Sequence, residues 1–342
     1  MSETKKRIMS GMRPTGKLHI GHYMGVLKNW INFQETYDCY FSIADWHTLT
    51  TKYDQTQDLK ENIVNVAIDW MASGIDPEKS TIYLQSLIPE TAELHLLLSM
   101  ITPQNWVERD PTLKDMVKML RKEGDEETQD ISGLLSYGLL GYPVLMSADI
   151  LGFNASLVPV GQDQLAHLEF TRDVARRFNY LYNTQYLIEP QPKLTEIPLL
   201  KGIDGQKMGK SFHNDIKISD SEEETAKKIM RAITDRSRIK KTDPGHPDEC
   251  EVVCPYYSIF ADEETVKKQS NNCENALWGC SECKKELALI INDYFRDIRN
   301  KRIELNNNLD YVDSVIREGS KKARNTASKI MKDIKEIMHL FI

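Results

Sequence analysis

No stretch of this chain approaches eighteen consecutive apolar residues, so the sequence offers no helix able to cross a bilayer and no membrane partner is expected. An excess of positive charge is also missing: 44 Lys and Arg stand against 51 Asp and Glu, a formal net charge of −7. Any nucleic-acid partner must therefore be held by local basic patches against a repulsive overall field. There is no internal repeat and no low-complexity tract. With 40% hydrophobic and 28% charged residues the composition is that of a globular enzyme, which excludes collagen-like, disordered and disulfide-scaffold classes. The charged start, Met1 to Arg7, has no apolar run behind it, so a secretory leader is not expected and a cytoplasmic, reducing compartment is.

What is present is an alternation of strand and helix patterns. Arg7-Ile8-Met9-Ser10 runs into the turn Gly11–Gly16, and a helical spacing follows from about His19 to Gln34. Cys39–Ala44 and Thr81–Leu84 are apolar runs of strand length; between them Asp58 is placed to cap a helix that Gly74 ends. Arg121–Asp130 is polar and reads as a surface loop. Beyond about residue 216 the strand signal fades, and Glu222–Arg231, Glu263–Asn271, Glu282–Lys301 and Tyr311–Leu340 read as amphipathic helices. The expected fold is α/β: a doubly wound parallel-sheet, Rossmann-like nucleotide-binding domain over 1–215 and a smaller all-helical domain over 216–342. The last helix is a candidate to pack back on the first domain.

A strand, a Gly-containing turn and a helix place anions at a helix N-terminus, where N–H groups lack partners. Here that junction carries Thr15-Gly16-Lys17-Leu18-His19-Ile20-Gly21-His22, with His19 and His22 three apart on one face. Far away in sequence, Asp204-Gly205-Gln206-Lys207-Met208-Gly209-Lys210-Ser211 brings two lysines three apart. Alone, each is commonplace surface decoration; together they are two cationic clusters suited to one polyphosphate.

The pair His19-Ile20-Gly21-His22 and Lys207-Met208-Gly209-Lys210-Ser211 resembles the signatures of the class I aminoacyl-tRNA synthetases. Ser10–Gly16, Ala44-Asp45-Trp46-His47, Met146–Leu151, Val158–Gln164 and Gly319–Arg324 resemble tryptophanyl-tRNA synthetases, over nearly the whole chain. The resemblance implies a two-step reaction: L-tryptophan and ATP give an adenylate and pyrophosphate, and the aminoacyl group then passes to tRNA-Trp. The carboxylate is already the nucleophile, so the chemistry needs positioning and cations rather than a strong base. His19, His22, Lys207, Lys210 and Ser211 are the implied catalytic set. Arg13, Thr15, Gly21, Gly161, Gln162, Asp163 and Met208 join them around ATP, whose phosphates hold Mg²⁺. Gly209 replaces the usual serine, which removes a hydroxyl and loosens the loop; Lys114 is a loose match to a further phosphate-binding lysine.

Indole offers an apolar body and one N–H donor, so its pocket needs one buried acceptor. The resemblance gives that role to Asp149, with Met146 on the ring, Val158 and Val160 as walls, and His47 and Gln164 at the polar end of tryptophan or at the ribose. It also implies a homodimer bridged by tRNA and an anticodon-binding role for the helical part. A tyrosine-specific relative, a small-molecule nucleotidylyltransferase and a non-catalytic paralogue are the competing readings.

Of six cysteines, Cys39 reads as a small core residue and Cys254 as a bystander. Cys250, Cys273, Cys280 and Cys283 form C-x22-C-x6-C-x2-C, a four-thiolate set that suits Zn²⁺ or an iron–sulfur cube. A subset of tryptophanyl-tRNA synthetases carries this spacing around a [4Fe–4S] cluster, which tips the expectation that way. Arg231, Arg236, Arg238, Lys240 and Lys241 lead into it, either as a grip for tRNA or as a solvated face.

Overall fold

The computed structural model describes residues 5–110, 135–161, 165–194 and 200–341. Lys114, Gln162, Asp163, Gln164 and the Arg121–Asp130 segment lie outside the described residues. Five strands, β1 (Arg7–Met12), β2 (Asp38–Ile43), β3 (Ser80–Leu84), β4 (Leu157–Val160) and β5 (Gln191–Leu194), form one sheet in the order β3-β2-β1-β4-β5. Every pairing is parallel. Strand order reverses between β1 and β4, the topological switch point where such sheets open a crevice.

Parallel strands are buried on both faces, and β2 obeys this: Cys39 to Ile43 are all buried. Cys39 is the small core residue its surroundings implied. The first crossover is a short helix α1 (Ile20–His22), a π-helical turn Tyr23–Leu27, then α2 (Lys28–Thr36). From α2, Trp30 stacks on Phe41 at 4.3 Å and meets Trp70 edge-on. Trp70 comes from α4 (Leu59–Ser73), which follows α3 (Asp45–Lys52). Gly74 ends α4 in the left-handed region, as expected, but Asp58 makes no side-chain cap hydrogen bond.

Helices α5 (Pro89–Ile101), α6 (Gln104–Glu108), α7 (Tyr137–Leu140), α8 (Tyr142–Leu151) and α9 (Leu165–Leu181) flank the sheet. No strand occurs among the described residues after β5. Instead come α10 (Glu222–Arg231), α11 (Val253–Phe260), α12 (Glu263–Glu274), the long α13 (Cys280–Asn306) and α14 (Leu309–Ile337). The charged start of α10 carries a full capping box between Ser221 and Glu224.

Helix α14 runs back along β3 and covers that edge of the sheet. Contact is backbone-close at Gly319, where an added Cβ would sit 1.8 Å from the Ile82 carbonyl oxygen, so no larger residue fits. Beside it Ser320 Oγ accepts the Leu84 N–H at 3.0 Å, a donor the sheet leaves unpaired. Among the described residues no helix is long and apolar enough to cross a membrane.

Candidate active site and cysteine cavity

Strand β1 ends at Met12 and delivers the chain to the turn before α1, at the C-terminal edge of the sheet. His19 is the N-cap of α1. Its Nδ1 accepts the His22 N–H at 3.3 Å, while His22 Nδ1 accepts the His19 N–H at 3.3 Å. Each Nδ1 is an acceptor, so each neutral ring carries its proton on Nε2. Burial drives His19 down to about 4, with Asp215 opposing and Lys210 reinforcing. Burial also holds His22 well below the usual histidine range, helped by His19 and Lys210. The result is a pair of uncharged N–H donors whose state does not change near neutral pH. Gly21 serves this pair: a Cβ there would lie 2.9 Å from His19 Nδ1, so the glycine admits the imidazole itself.

The lysine loop is stitched directly to this turn. The Ile20 N–H reaches the Ile216 carbonyl at 2.9 Å, and the Ile218 N–H reaches the Leu18 carbonyl at 2.9 Å. Met208, Ile216 and Ile218 share one core with Leu18 and Ile20. Lys210 Nζ donates to the Gly16 carbonyl at 2.6 Å. Burial lowers its ammonium to about 8, against the raising influence of Asp69 and Asp215. Lys207 points into solvent, so the structure gathers Lys210 with the histidines and leaves Lys207 outside. Ser211 follows in the 3-10 turn Lys210–Phe212. Thr15 and Gly161 are half-buried at the ends of β1 and β4.

Gly209 does not leave the loop slack. Its N–H donates to Asn214 Oδ1 at 2.9 Å, and Asn214 Nδ2 bonds Asp204 Oδ1 (2.9 Å) and the Lys207 carbonyl (3.1 Å). Asn214 is 2% exposed. The expected gain in flexibility is offset by a buried amide that spans the loop, a role no local pattern announced.

Beside β1 lies a cavity of about 360 Å³ walled by Met146, Ile150, Val158 and Val160, with Arg13, His47, Asp149 and His167 as polar lining. This is the volume and mixture of a small-ligand pocket. Asp149 is 4% exposed and already held: Gln85 Nε2 donates to both its oxygens at 2.9 and 2.8 Å, and His47 Nε2 bonds it at 2.8 Å. Asp149 is thus paired locally, and Gln85, unsuspected from sequence, is its main donor. His47 Nδ1 is buried and has no partner among the described residues. Arg13 belongs to this cavity more than to the turn. Its guanidinium donates to Thr51 Oγ1 and to the Thr48 carbonyl, while its Nε is buried and has no partner among the described residues.

The second feature is a narrow cavity of about 20 Å³ lined by Cys250, Cys254, Cys273, Cys280 and Cys283 together with Asp235, Arg238 and Gln269. The four spaced cysteines converge, and Cys254 is in the wall with them. Cys250 is drawn down to about 6 by hydrogen bonding from the Cys254 thiol and from the N–H groups of Cys254, Val253 and Asp235, against its burial. Burial pushes Cys283 up to about 12, and burial raises Cys273 against the pull of Arg238. Gln269 Nε2 reaches Cys254 Sγ at 3.3 Å and Cys283 Sγ at 3.7 Å. In the basic run, Arg231, Arg236 and Lys240 are exposed, Lys241 pairs with Glu282 at 2.7 Å, and Arg238 turns inward to bond the Lys241 carbonyl at 2.6 Å.

The family model for class I tRNA synthetases of the tryptophan and tyrosine type matches residues 1–296. The tryptophan–tRNA ligase of Thermotoga maritima is 44% identical, across 98% of this chain and 99% of its own length. That of Aquifex aeolicus is 40% identical, across 98% and 100%. Among solved structures, tryptophanyl-tRNA synthetase from Campylobacter jejuni, determined with ADP and tryptophan, superposes with a TM-score of 0.87 at 33% identity, over 98% of this chain and all of that one. A switch-point crevice, two signatures brought into one core and this full-length similarity have a single meaning: the chain belongs to the class I tRNA synthetases, in their tryptophan–tRNA ligase branch.

Proposed function

We propose that the chain activates L-tryptophan with ATP at the histidine–lysine junction and passes the product to tRNA-Trp. The observation that carries this reading is the Lys210 ammonium, bonded to the Gly16 carbonyl and close enough to act on both His19 and His22, with an apolar cavity holding the buried Asp149 carboxylate beside β1. A tryptophan carboxylate oxygen attacks the α-phosphorus; the bond to the bridging oxygen breaks, and pyrophosphate leaves. The two Nε2–H groups donate to phosphate oxygens, and Lys210 and Lys207 supply positive charge as the leaving group develops negative charge. Lys210 leaves the Gly16 carbonyl to do so, and Lys207 swings in from solvent. The nucleotide's own phosphates would hold Mg²⁺, which would supply charge neutralisation beside Lys210 and Lys207. Ser211, Thr15 and Gly161 line the nucleotide, with Gln162 and Asp163 beside them. A terminal ribose hydroxyl then attacks the adenylate carbonyl carbon and AMP departs.

Tryptophan lies in the cavity with Met146, Val158 and Val160 on the ring and Asp149 accepting the indole N–H. His47 Nδ1, Arg13 and Gln164 serve the polar end. Pyrophosphate exchange with tryptophan and tyrosine side by side tests the reading: strong tryptophan-dependent exchange is expected, and equal or tyrosine-preferring exchange rejects it.

The cysteine cavity is read as the seat of a [4Fe–4S] cluster on Cys250, Cys273, Cys280 and Cys283. Among the described residues no three sulfurs lie within 4.8 Å of one another. Zinc thiolates at about 2.3 Å from the metal would bring all four to about 3.8 Å. The cluster would fix the loops around α11 and α12, and residues 216–342 would form the part that meets tRNA. A broad absorption band near roughly 400 nm in anaerobically purified protein supports it; colourless zinc-bearing protein rejects it. The enzyme is further read as a cytoplasmic homodimer, which the exposed Leu96 and Met100 of α5 support and light scattering tests.

A further inference from the structure

The turn that carries His19 is held from behind by a residue that no motif includes. Asp69, on α4, is fully buried, and its two oxygens have separate duties. Oδ2 accepts the Leu18 N–H at 2.9 Å; Oδ1 accepts from Arg302 Nε at 2.6 Å. Arg302 belongs to α13, whose first turn supplies Cys280 and Cys283, and its Nη2 is fixed on Asn65 Oδ1 at 2.6 Å. Leu18 immediately precedes the N-cap His19. Its N–H lies outside the α1 ladder and has to find a partner elsewhere. The Leu18 carbonyl is taken by the Ile218 N–H from beyond the lysine loop. The peptide entering the histidine turn is therefore gripped on both sides, by Asp69 and by the segment after Lys210.

We propose that Asp69 is a positioning residue for adenylate formation: its carboxylate fixes the Leu18–His19 backbone, and Arg302 of α13, itself fixed on Asn65, keeps that carboxylate aimed. A buried carboxylate without its guanidinium takes up a proton or leaves its place. Either way the Leu18 N–H is less well held and the two imidazole N–H groups drift from the phosphates. A shift on the order of 1 Å in such a group is enough to lose much of the rate. The inference rests on the reading that His19 and His22 contact the triphosphate.

The test is pyrophosphate exchange by the full-length protein, with kcat normalised to active sites counted by the adenylate burst. For Arg302→Gln and Asp69→Asn, kcat per titrated site falls at least tenfold while KM for tryptophan stays within twofold, because the tryptophan cavity is untouched. Arg302→Lys, which restores one charged bond, recovers most of the loss. Where a single variant does not fold, the double variant Asp69→Asn/Arg302→Gln leaves no unpaired charge and is measured instead; it too loses at least tenfold. Full kcat per site in the folded variants, with losses only in the number of active sites, overturns the inference and leaves the pair a structural tie. His22→Ala run in parallel separates the two readings. If exchange survives that change, the phosphate reading fails; if it collapses while the Asp69 and Arg302 variants keep full kcat, only the positioning inference fails.

Discussion

The histidine turn and the cysteine cavity differ in how each is held together. Around His19 and His22 the scaffold bonds are internal: two Nδ1 acceptors, backbone bonds to residues 216–218 and the Asp69 carboxylate close the turn. Around Cys250, Cys273, Cys280 and Cys283 the reverse holds. One sulfur is well supplied with donors, two are pushed toward the neutral thiol by burial, and no three sulfurs are close enough to organise one another. The first site is preorganised for a ligand that comes and goes. The second has the character of a site whose ligand would add folding free energy to the apolar core that Cys250 and Cys283 share with Tyr257 and Leu287. Substitutions should therefore cost rate at the first and structure at the second.

The largest effect expected is at Lys210. On the proposed role of Lys210, Lys210→Ala removes the charge set against the leaving phosphates, and kcat for exchange should fall by about 10²–10³-fold, the range seen when one preorganised transition-state donor is lost. KM for tryptophan should barely move, because Lys210 bonds Gly16 and not the tryptophan cavity. A rise in KM at constant kcat would make Lys210 a uniform binding contact and erase the rate side of the contrast.

Asp149 comes next. Asp149→Ala leaves Gln85 and His47 without their acceptor as well as stripping the cavity of its carboxylate. The cost of an unpaired buried polar group is about 1–3 kcal/mol, so tryptophan should weaken by about 5–150-fold with ATP little affected. Equal losses for both ligands would mean that Asp149 is only part of the scaffold. At the cysteine cavity, Cys283→Ser should separate the two halves of the reaction. If the cavity holds the proposed cluster, charging of tRNA should fall by about tenfold or more, with loss of the absorption band that the cluster would give, as outer and inner metal-site changes commonly do. Exchange should stay within a few-fold, since the histidine turn needs nothing from the sulfurs. A parallel collapse of exchange would show that α13 transmits damage as far as Arg302.

Much of this was legible in sequence for a local reason. An apolar run such as Cys39–Ala44 and a helical spacing such as Glu222–Arg231 act within a few residues, so β2 and α10 fall where pattern places them, whereas the cap expected of Asp58 does not form. The histidines, lysines and cysteines were visible because their spacing is itself the signal. What was not visible are residues whose meaning depends on a partner far along the chain. Gln85 becomes a donor only when α8 brings Asp149 to it, and Asn214 becomes a loop brace only once buried under Gly202. Asp69 sits inside an ordinary helical pattern and finds Leu18 and Arg302 only through tertiary packing. The inward turn of Arg238 is of the same kind: its neighbours in sequence are solvated, yet its guanidinium faces a cavity built from α11, α12 and α13.

The smallest effect concerns pH, and it sets the neutral histidine donors of the candidate site apart from its lysine ammonium. His19, lowered to about 4 by burial, is neutral from pH 5 upward, so histidine should give no limb between pH 5 and 7. Lys210, lowered to about 8 by burial, loses its proton just above neutrality in the free enzyme. The profile of kcat/KM for ATP, which reports the free enzyme, should fall above about pH 8. That of kcat should stay level to higher pH, because bound phosphates favour the ammonium. Lys210→Arg should remove the limb from kcat/KM. Stability has the opposite sign. Between the folded value near 8 and the unfolded 10.5, the unfolded chain binds more protons at this site, so its contribution raises stability with pH over that window. Between about 4 and 6.5 His19 acts likewise: its contribution is full above 6.5 and is lost as pH falls through 4. Exchange that weakens near pH 8 while this contribution to stability grows would identify a catalytic ammonium held in place against its own desolvation.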